Sequence, residues 1–205
     1  MLSVVIPSYN DAKNITLAIA SANQIKYVNE IIIVDDCSSD NTKSIIMDIK
    51  VNCKKIKYYR NSVNQGSGLT FLKGLEKIKN RYVIMLNSDD FFIPKAIEKL
   101  FEFTIKNNLD IGYGKMSIKK NNGIHKYVHP GYKNKSYIDN RNELQDLLIF
   151  DMYIPSFGAI INYKKIKKFY NKKYYESLNY SFGKSFKAHD YDLFLNLAKK
   201  KKKNR

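Results

Sequence analysis

The sequence has little with which to bind a soft metal or to cross-link itself. Its only cysteines are Cys37 and Cys53, and its three histidines, His125, His129 and His189, share no metal-ligand spacing with them. Two ordinary thiols in a reducing cytoplasm are the expectation, rather than a disulfide framework or a zinc cluster. No run approaches the roughly 20 apolar residues that a membrane-spanning helix needs. The N-terminus, Met1-Leu2-Ser3-Val4-Val5-Ile6-Pro7, lacks the basic region and small-residue cleavage site of a signal peptide and reads as a strand. Arginine is scarce, with only Arg60, Arg81, Arg141 and Arg205, so the net charge of +17 is nearly all lysine. Nucleic-acid readers lean on arginine forks, and the lysines here are scattered, densest only at Lys199–Lys203. Nucleic acid is therefore not the expected partner; an anionic membrane surface or a phosphate-bearing acceptor is.

What the chain does have is a core. At 205 residues and 44% hydrophobic it can build one domain with a substantial interior. Short apolar runs alternate with amphipathic segments. Strands are expected at Leu2–Pro7, Glu30–Asp35, Lys55–Arg60, Arg81–Leu86 and Asp110–Met116. Helices are expected at Asn14–Ile25, Thr42–Lys50, Gly68–Lys79 and Pro94–Lys106, the last opening on a proline in its first turn. This alternation implies βαβ units on a mostly parallel sheet, an α/β fold. Beyond residue 117 the pattern weakens: Asn121-Asn122-Gly123 is a hairpin-type turn, and Lys119–Asn142 reads as loops or a small hairpin. Glu143–Phe150 reads as a short helix, Phe157–Asn162 as a strand and Tyr191–Lys200 as a final helix.

Open α/β sheets bind ligands beyond the carboxyl ends of their strands. Ser8-Tyr9-Asn10, Asp35-Asp36 and Asn87-Ser88-Asp89-Asp90 all fall at such ends. Adjacent carboxylates near a core are costly unless neutralised, and an oxygen-only set favours Mg²⁺ or Mn²⁺, completed by substrate phosphates. Asp89 and Asp90 have a second reading, as an N-cap pair before the Pro94 helix. Asp36 suits hydrogen bonds from a ribose or a base N–H, while Ser38, Ser39 or Asp40 suit the cap of the next helix; both can hold together. Gly66 and Gly68 open the third helix, either as backbone space for a phosphate or as a plain loop. Asp190, before the apolar pattern Tyr191–Leu195, is a general base toward an acceptor hydroxyl or another N-cap.

Five segments in order, S-V-V-I-P-S-Y-N from Ser3, I-I-I-V-D-D-C-S-S-D-N-T over 31–42, R-N-S-V-N-Q-G over 60–66, R-Y-V-I-M-L-N-S-D-D over 81–90 and H-D-Y-D-L-F-L over 189–195, resemble the motifs of family 2 inverting glycosyltransferases. The resemblance covers almost the whole chain and implies a GT-A (Rossmann-like) nucleotide-diphospho-sugar transferase fold. It implies that Pro7, Tyr9 and Asp36 hold a nucleobase, most often uracil, with Gly66 also on the donor side. It implies that Asp89 contacts the donor ribose and stands with Asp90 at the Mn²⁺ or Mg²⁺ bridging the diphosphate, and that Asp190 is the base. The chain departs from the family pattern at Asn87, where Asp is frequent, at Phe71, where Arg is frequent, and at His189, where Glu is usual. The expectation is a single domain over 1–205: a nucleotide-sugar half over about 1–117, an acceptor half over about 118–198 and a basic tail over 199–205, whole or truncated. Tyr153, Ser156, Phe157 and His189 are the acceptor-side candidates. The expected activity is inverting transfer from a UDP-sugar to a glycan or lipid-linked saccharide, cytoplasmic and peripheral to the membrane. The alternative is a non-catalytic or truncated sugar-nucleotide-binding domain.

Overall fold

Apolar runs rich in β-branched side chains dictate the centre of the molecule. The structure, a computed structural model, describes residues 1–114, 116–120, 123–127 and 158–167. Strand β1 (Leu2–Ser8) is buried along its whole length, and β2 (Val28–Asp35) everywhere but Asn29. A strand covered on both faces has no solvent side to mark with polar residues, so both segments read as unbroken runs. β1 pairs in parallel with β2 and with β4 (Tyr82–Met85), and β2 in parallel with β3 (Ile56–Arg60). With β5 (Ile111–Gly112) and β8 (Ile160–Asn162) the sheet order is β3-β2-β1-β4-β8-β5, and only β8 runs against the rest. A separate hairpin pairs β6 (Met116–Lys120) with β7 (Gly123–Tyr127), Lys120 opposite Gly123, in line with the turn expected at Asn121-Asn122-Gly123.

Helices α1 (Ile15–Asn23), α2 (Thr42–Asn52) and α4 (Pro94–Lys106) cover one face, where Val4, Ile6, Ile31, Ile33 and Ile84 pack with Ile15, Ile19, Ile46 and Phe101. Helix α3 (Ser67–Leu75) covers the other: Phe71, Leu72 and Leu75 meet Val5, Ile32, Val34 and Val83, joined by Tyr163 of the short α5 (Tyr163–Ile166). The chain steps outward from β1 to β3, then α3 carries it back past β1 to β4. Strand order therefore reverses between β1 and β4, the point at which sheets of this kind open a crevice. Gly74 fixes how closely α3 sits on β1, because a Cβ there would run into Val5.

Some expectations are corrected. Helix α3 stops at Leu75 rather than Lys79: the Lys77 N–H bonds the Gly74 carbonyl at 3.0 Å, tightening the turn, while Ile78 still packs on the α3-side core. The strand expected over Asp110–Met116 is only Ile111–Gly112, and Met116 opens the hairpin instead. The strand expected from Phe157 begins at Ile160, after Gly158 bends the backbone at φ +82° and bonds its N–H to the Met85 carbonyl at 3.1 Å. The helices expected at Glu143–Phe150 and Tyr191–Lys200 lie outside the described residues.

Candidate functional site

The carboxyl ends of β1, β2 and β4 lie side by side, and the three polar clusters stand there. Val5 accepts the Leu86 N–H at 3.0 Å, so its backbone faces β4. Pro7, two residues on, faces the same side, beyond the last β1–β4 pair at Val5 and Met85. A proline costs no ladder bond where the neighbouring strand has ended, and the gap between β1 and β4 opens at that point. Ser8 is buried, its hydroxyl without a partner among the described residues. Tyr9 follows with 51% of its surface exposed.

Strand β2 ends on the buried Asp35, and the buried Asp36 follows it in different surroundings. Asp35 Oδ1 accepts the Ser38 N–H at 2.8 Å, and Oδ2 accepts the Tyr58 hydroxyl at 2.6 Å and Arg60 Nη1 at 3.1 Å. Burial and the bond to Asp35 push the Tyr58 hydroxyl up to about 12, against Arg60, so it stays a donor. Asp36 Oδ1 accepts Asn61 Nδ2 at 2.7 Å and the Gln65 N–H at 2.8 Å, while Oδ2 accepts the Gly66 N–H at 2.8 Å. It therefore ties the loop after β3 to the end of β2, and Gly66 turns into α3 at φ +87°. The Gly66 N–H also lies 3.1 Å from Asn64 Oδ1. The chain leaves Asp36 through Cys37 at φ +66°. The Asn10 N–H bonds Ser38 Oγ at 2.9 Å and the Ser39 N–H bonds Asn10 Oδ1 at 2.7 Å, joining the loops after β1 and β2. None of the capping candidates is the N-cap of α2, which is Asn41 without a side-chain cap bond; Asp40 stands one residue earlier, and its Oδ1 accepts the Thr42 N–H at 3.0 Å.

Beyond β4, Ser88 is buried while Asp89 and Asp90 are exposed. The capping alternative for this pair fails, because Ile93 is the N-cap of α4, with no side-chain cap bond and Pro94 in the first turn. Asn87 closes a turn around Asp90: the Asp90 N–H lies 3.2 Å from the Asn87 carbonyl, and Asn87 Nδ2 donates to Asp90 Oδ2 at 3.1 Å. Partial desolvation lifts the Asp90 carboxyl above its ordinary value, and the Asp89 charge adds to this against the Asn87 bond. A divalent cation relieves crowding of that kind. Among the described residues no group of three or more His, Cys, Asp or Glu side chains could enclose an ion. Two exposed carboxylates still fit Mg²⁺ or Mn²⁺, which seldom ask for a full protein cage.

The structure thus brings Pro7, Tyr9, Asp36, Gly66, Asp89 and Asp90 to one edge. Asp190, Tyr153, Ser156, Phe157 and His189 lie outside the described residues. Phe71, where a cation is frequent in the resembled family, is core, 6% exposed. Sequence reasoning gave no role to Tyr58, Arg60 and Asn61, which bond the two aspartates, or to Thr70 and Lys73, which bond Asn61. The signals they leave are that Arg60 and Asn61 open the segment R-N-S-V-N-Q-G over 60–66 and that β3 ends at Arg60, opposite Asp35 at the end of β2.

Residues 3–170 match the profile of the family described as Glycosyl transferase family 2. The chain is 32% identical over 132 residues to the Escherichia coli UDP-Glc:alpha-D-GlcNAc-diphosphoundecaprenol beta-1,3-glucosyltransferase WfgD, covering 63% of this chain and 51% of that one. It is 26% identical over 192 residues to the Campylobacter jejuni GalNAc(5)-diNAcBac-PP-undecaprenol beta-1,3-glucosyltransferase, covering 92% of this chain and 62% of that one. The chain thus spans between half and two thirds of the length of these relatives. Among solved structures, residues 1–349 of S. aureus TarS superpose with a TM-score of 0.67 at 22% identity, over 82% of this chain and 48% of that one.

Proposed function

Because the chain belongs to glycosyl transferase family 2 and has the GT-A fold, we propose that it transfers a sugar from a UDP-sugar to a hydroxyl of a glycan or lipid-linked saccharide, with inversion. The observation that carries this reading is the Asp89–Asp90 pair, exposed where strand order reverses and excused from capping α4. The Ser8 hydroxyl, buried at the carboxyl end of β1 with no partner among the described residues, is a further polar group at the same sheet edge. The names of the relatives, with a UDP-Glc donor and undecaprenol-linked acceptors, support the donor and acceptor classes.

On this reading Asp36 accepts a ring N–H of the base through the lone pair its three protein bonds leave open. Pro7, Tyr9 and the Gly66 turn frame that base. Asp89 meets the ribose, and Asp90, with Asp89, would hold Mn²⁺ or Mg²⁺. A cation held there would supply positive charge to offset that of the departing diphosphate. Asp190 removes the acceptor proton as that oxygen attacks the anomeric carbon from the face opposite the leaving UDP. The donor half then spans about 1–117 and the acceptor half about 118–198, with Tyr153, Ser156, Phe157 and His189 on the acceptor side.

Calorimetric titration of UDP, with Mn²⁺ present or chelated, tests the reading on the native chain and on Asp90→Ala. Binding that needs the cation and weakens at least roughly tenfold in Asp90→Ala supports it. Tight binding indifferent to both changes removes the metal role, and no UDP binding at all removes the donor assignment.

A further inference from the structure

Asp36 is aimed by a side chain that lies in the segment 60–66 but to which the sequence reading gives no role. Two of its three protein donors are backbone amides of the loop it anchors, at Gln65 and Gly66; the third is the Asn61 amide. Asn61 is 2% exposed. A buried carboxamide can face either way, and its partners decide which. Here Nδ2 gives one hydrogen to Asp36 Oδ1 at 2.7 Å and one to Thr70 Oγ1 at 3.0 Å, and Oδ1 accepts Lys73 Nζ at 2.6 Å. Lys73, from the second turn of α3, also reaches the Arg60 carbonyl at 3.3 Å.

An ammonium group has donors only and a carboxylate acceptors only. Turning the Asn61 amide over would set its NH₂ against Lys73 and its oxygen against Asp36, so the two charged ends fix the polarity of the chain Lys73→Asn61→Asp36. The direction of that chain fixes which lone pair of Asp36 is left for a ligand. We propose that Asn61 and Lys73 are positioning residues that set the nucleobase preference of the donor site, by holding Asp36 so that its free lone pair meets a base carrying a ring N–H. This inference rests on the donor reading given above. Uracil presents N3–H to such an acceptor, whereas cytosine presents a lone pair at the same ring position.

Lys73→Met keeps the length of the stem and removes the donor; Lys73→Arg keeps the charge and the donor. Each is titrated calorimetrically with UDP and with CDP, Mn²⁺ present, beside the native chain and with a thermal melt of each protein. The expected result is UDP preferred over CDP by the native chain, the preference reduced roughly tenfold in Lys73→Met through loss of UDP affinity alone, and largely kept in Lys73→Arg. A Lys73→Met protein with a lowered melting temperature and an unchanged UDP-to-CDP ratio overturns the proposal, since the contact is then purely structural. A native chain that binds UDP without preferring it to CDP also overturns it while leaving the UDP donor in place. A native chain that binds no UDP sinks the donor reading and the inference together. If Lys73→Met does not fold, Lys73→Ala, which also removes the donor, takes its place: a reduced UDP-to-CDP ratio supports the proposal and an unchanged one overturns it.

Discussion

Away from the site, a thoroughly bonded carboxylate among the described residues is Glu30, near the start of β2. It is 4% exposed and accepts the Ser3 hydroxyl at 2.7 Å, the Lys79 N–H at 2.9 Å and the Lys57 ammonium. Burial alone would raise its carboxyl, but these bonds outweigh it and hold the group below its ordinary value. A carboxyl depressed on folding stabilises above its unfolded value, near 4.3, and that contribution is lost as pH falls through the folded value. Glu30→Gln should cost about 1–3 kcal/mol at pH 7. Urea unfolding at pH 7 and at pH 3 should show the gap between the two proteins narrowing in acid; a gap independent of pH would mean that the charge is not what matters. Residues of this kind separate what the sequence discloses from what it hides. Asp89–Asp90 is legible because paired carboxylates after an apolar run need a reason to be there. Glu30, Asn61 and Lys73 are not, because partners 27, 25 and 12 residues away become neighbours only once the strands are ordered.

At the scale of elements, legibility follows burial. β1, β2 and β4 are readable because parallel strands covered on both faces must be apolar throughout, and α4 because Pro94 marks its first turn. β8 is hard to place: its three residues, Ile160–Asn162, run against the sheet, and no local pattern encodes strand direction. The end of α3 escapes a sequence reading because Ile78 continues the apolar period after the helix has closed. Helix α3 matters most for the site, since it carries Thr70 and Lys73, and its seat on β1 depends on Gly74. Alanine is intrinsically better than glycine in a helix by about 1 kcal/mol. Gly74→Ala should nevertheless destabilise by about 1–3 kcal/mol, because its methyl would enter the Val5 side chain. Adding Val5→Ala should recover part of that loss, so the double variant should melt higher than the sum of the two single effects implies. Strict additivity in thermal unfolding would place the strain elsewhere than in this contact.

At the scale of the whole molecule, the net charge of +17 is nearly all lysine, and among the described residues the exposed lysines gather on no single face. Exposed lysines stand on the side of α1, α2 and α4 at Lys13, Lys43, Lys95, Lys99 and Lys106, and on the α3 side at Lys77 and Lys79. Among the described residues no helix is long and apolar enough to cross a membrane. A diffuse field of this kind would draw a protein toward an anionic surface from any orientation, with about 1 kcal/mol for each lysine near the headgroups, and would fade within a Debye length. If the acceptor is lipid-linked, as in the names of the relatives, such attraction concentrates the protein where its acceptor is held without fixing a docking pose. The chain should therefore float with vesicles containing anionic phospholipid at low salt, release as ionic strength passes about 0.3 M, and ignore purely zwitterionic vesicles. Single lysine-to-glutamine changes should each weaken flotation slightly and about equally, because a distributed field has no central residue. One change that abolishes it would instead reveal a specific lipid contact, and absence of flotation at low salt would leave the charge without a membrane role.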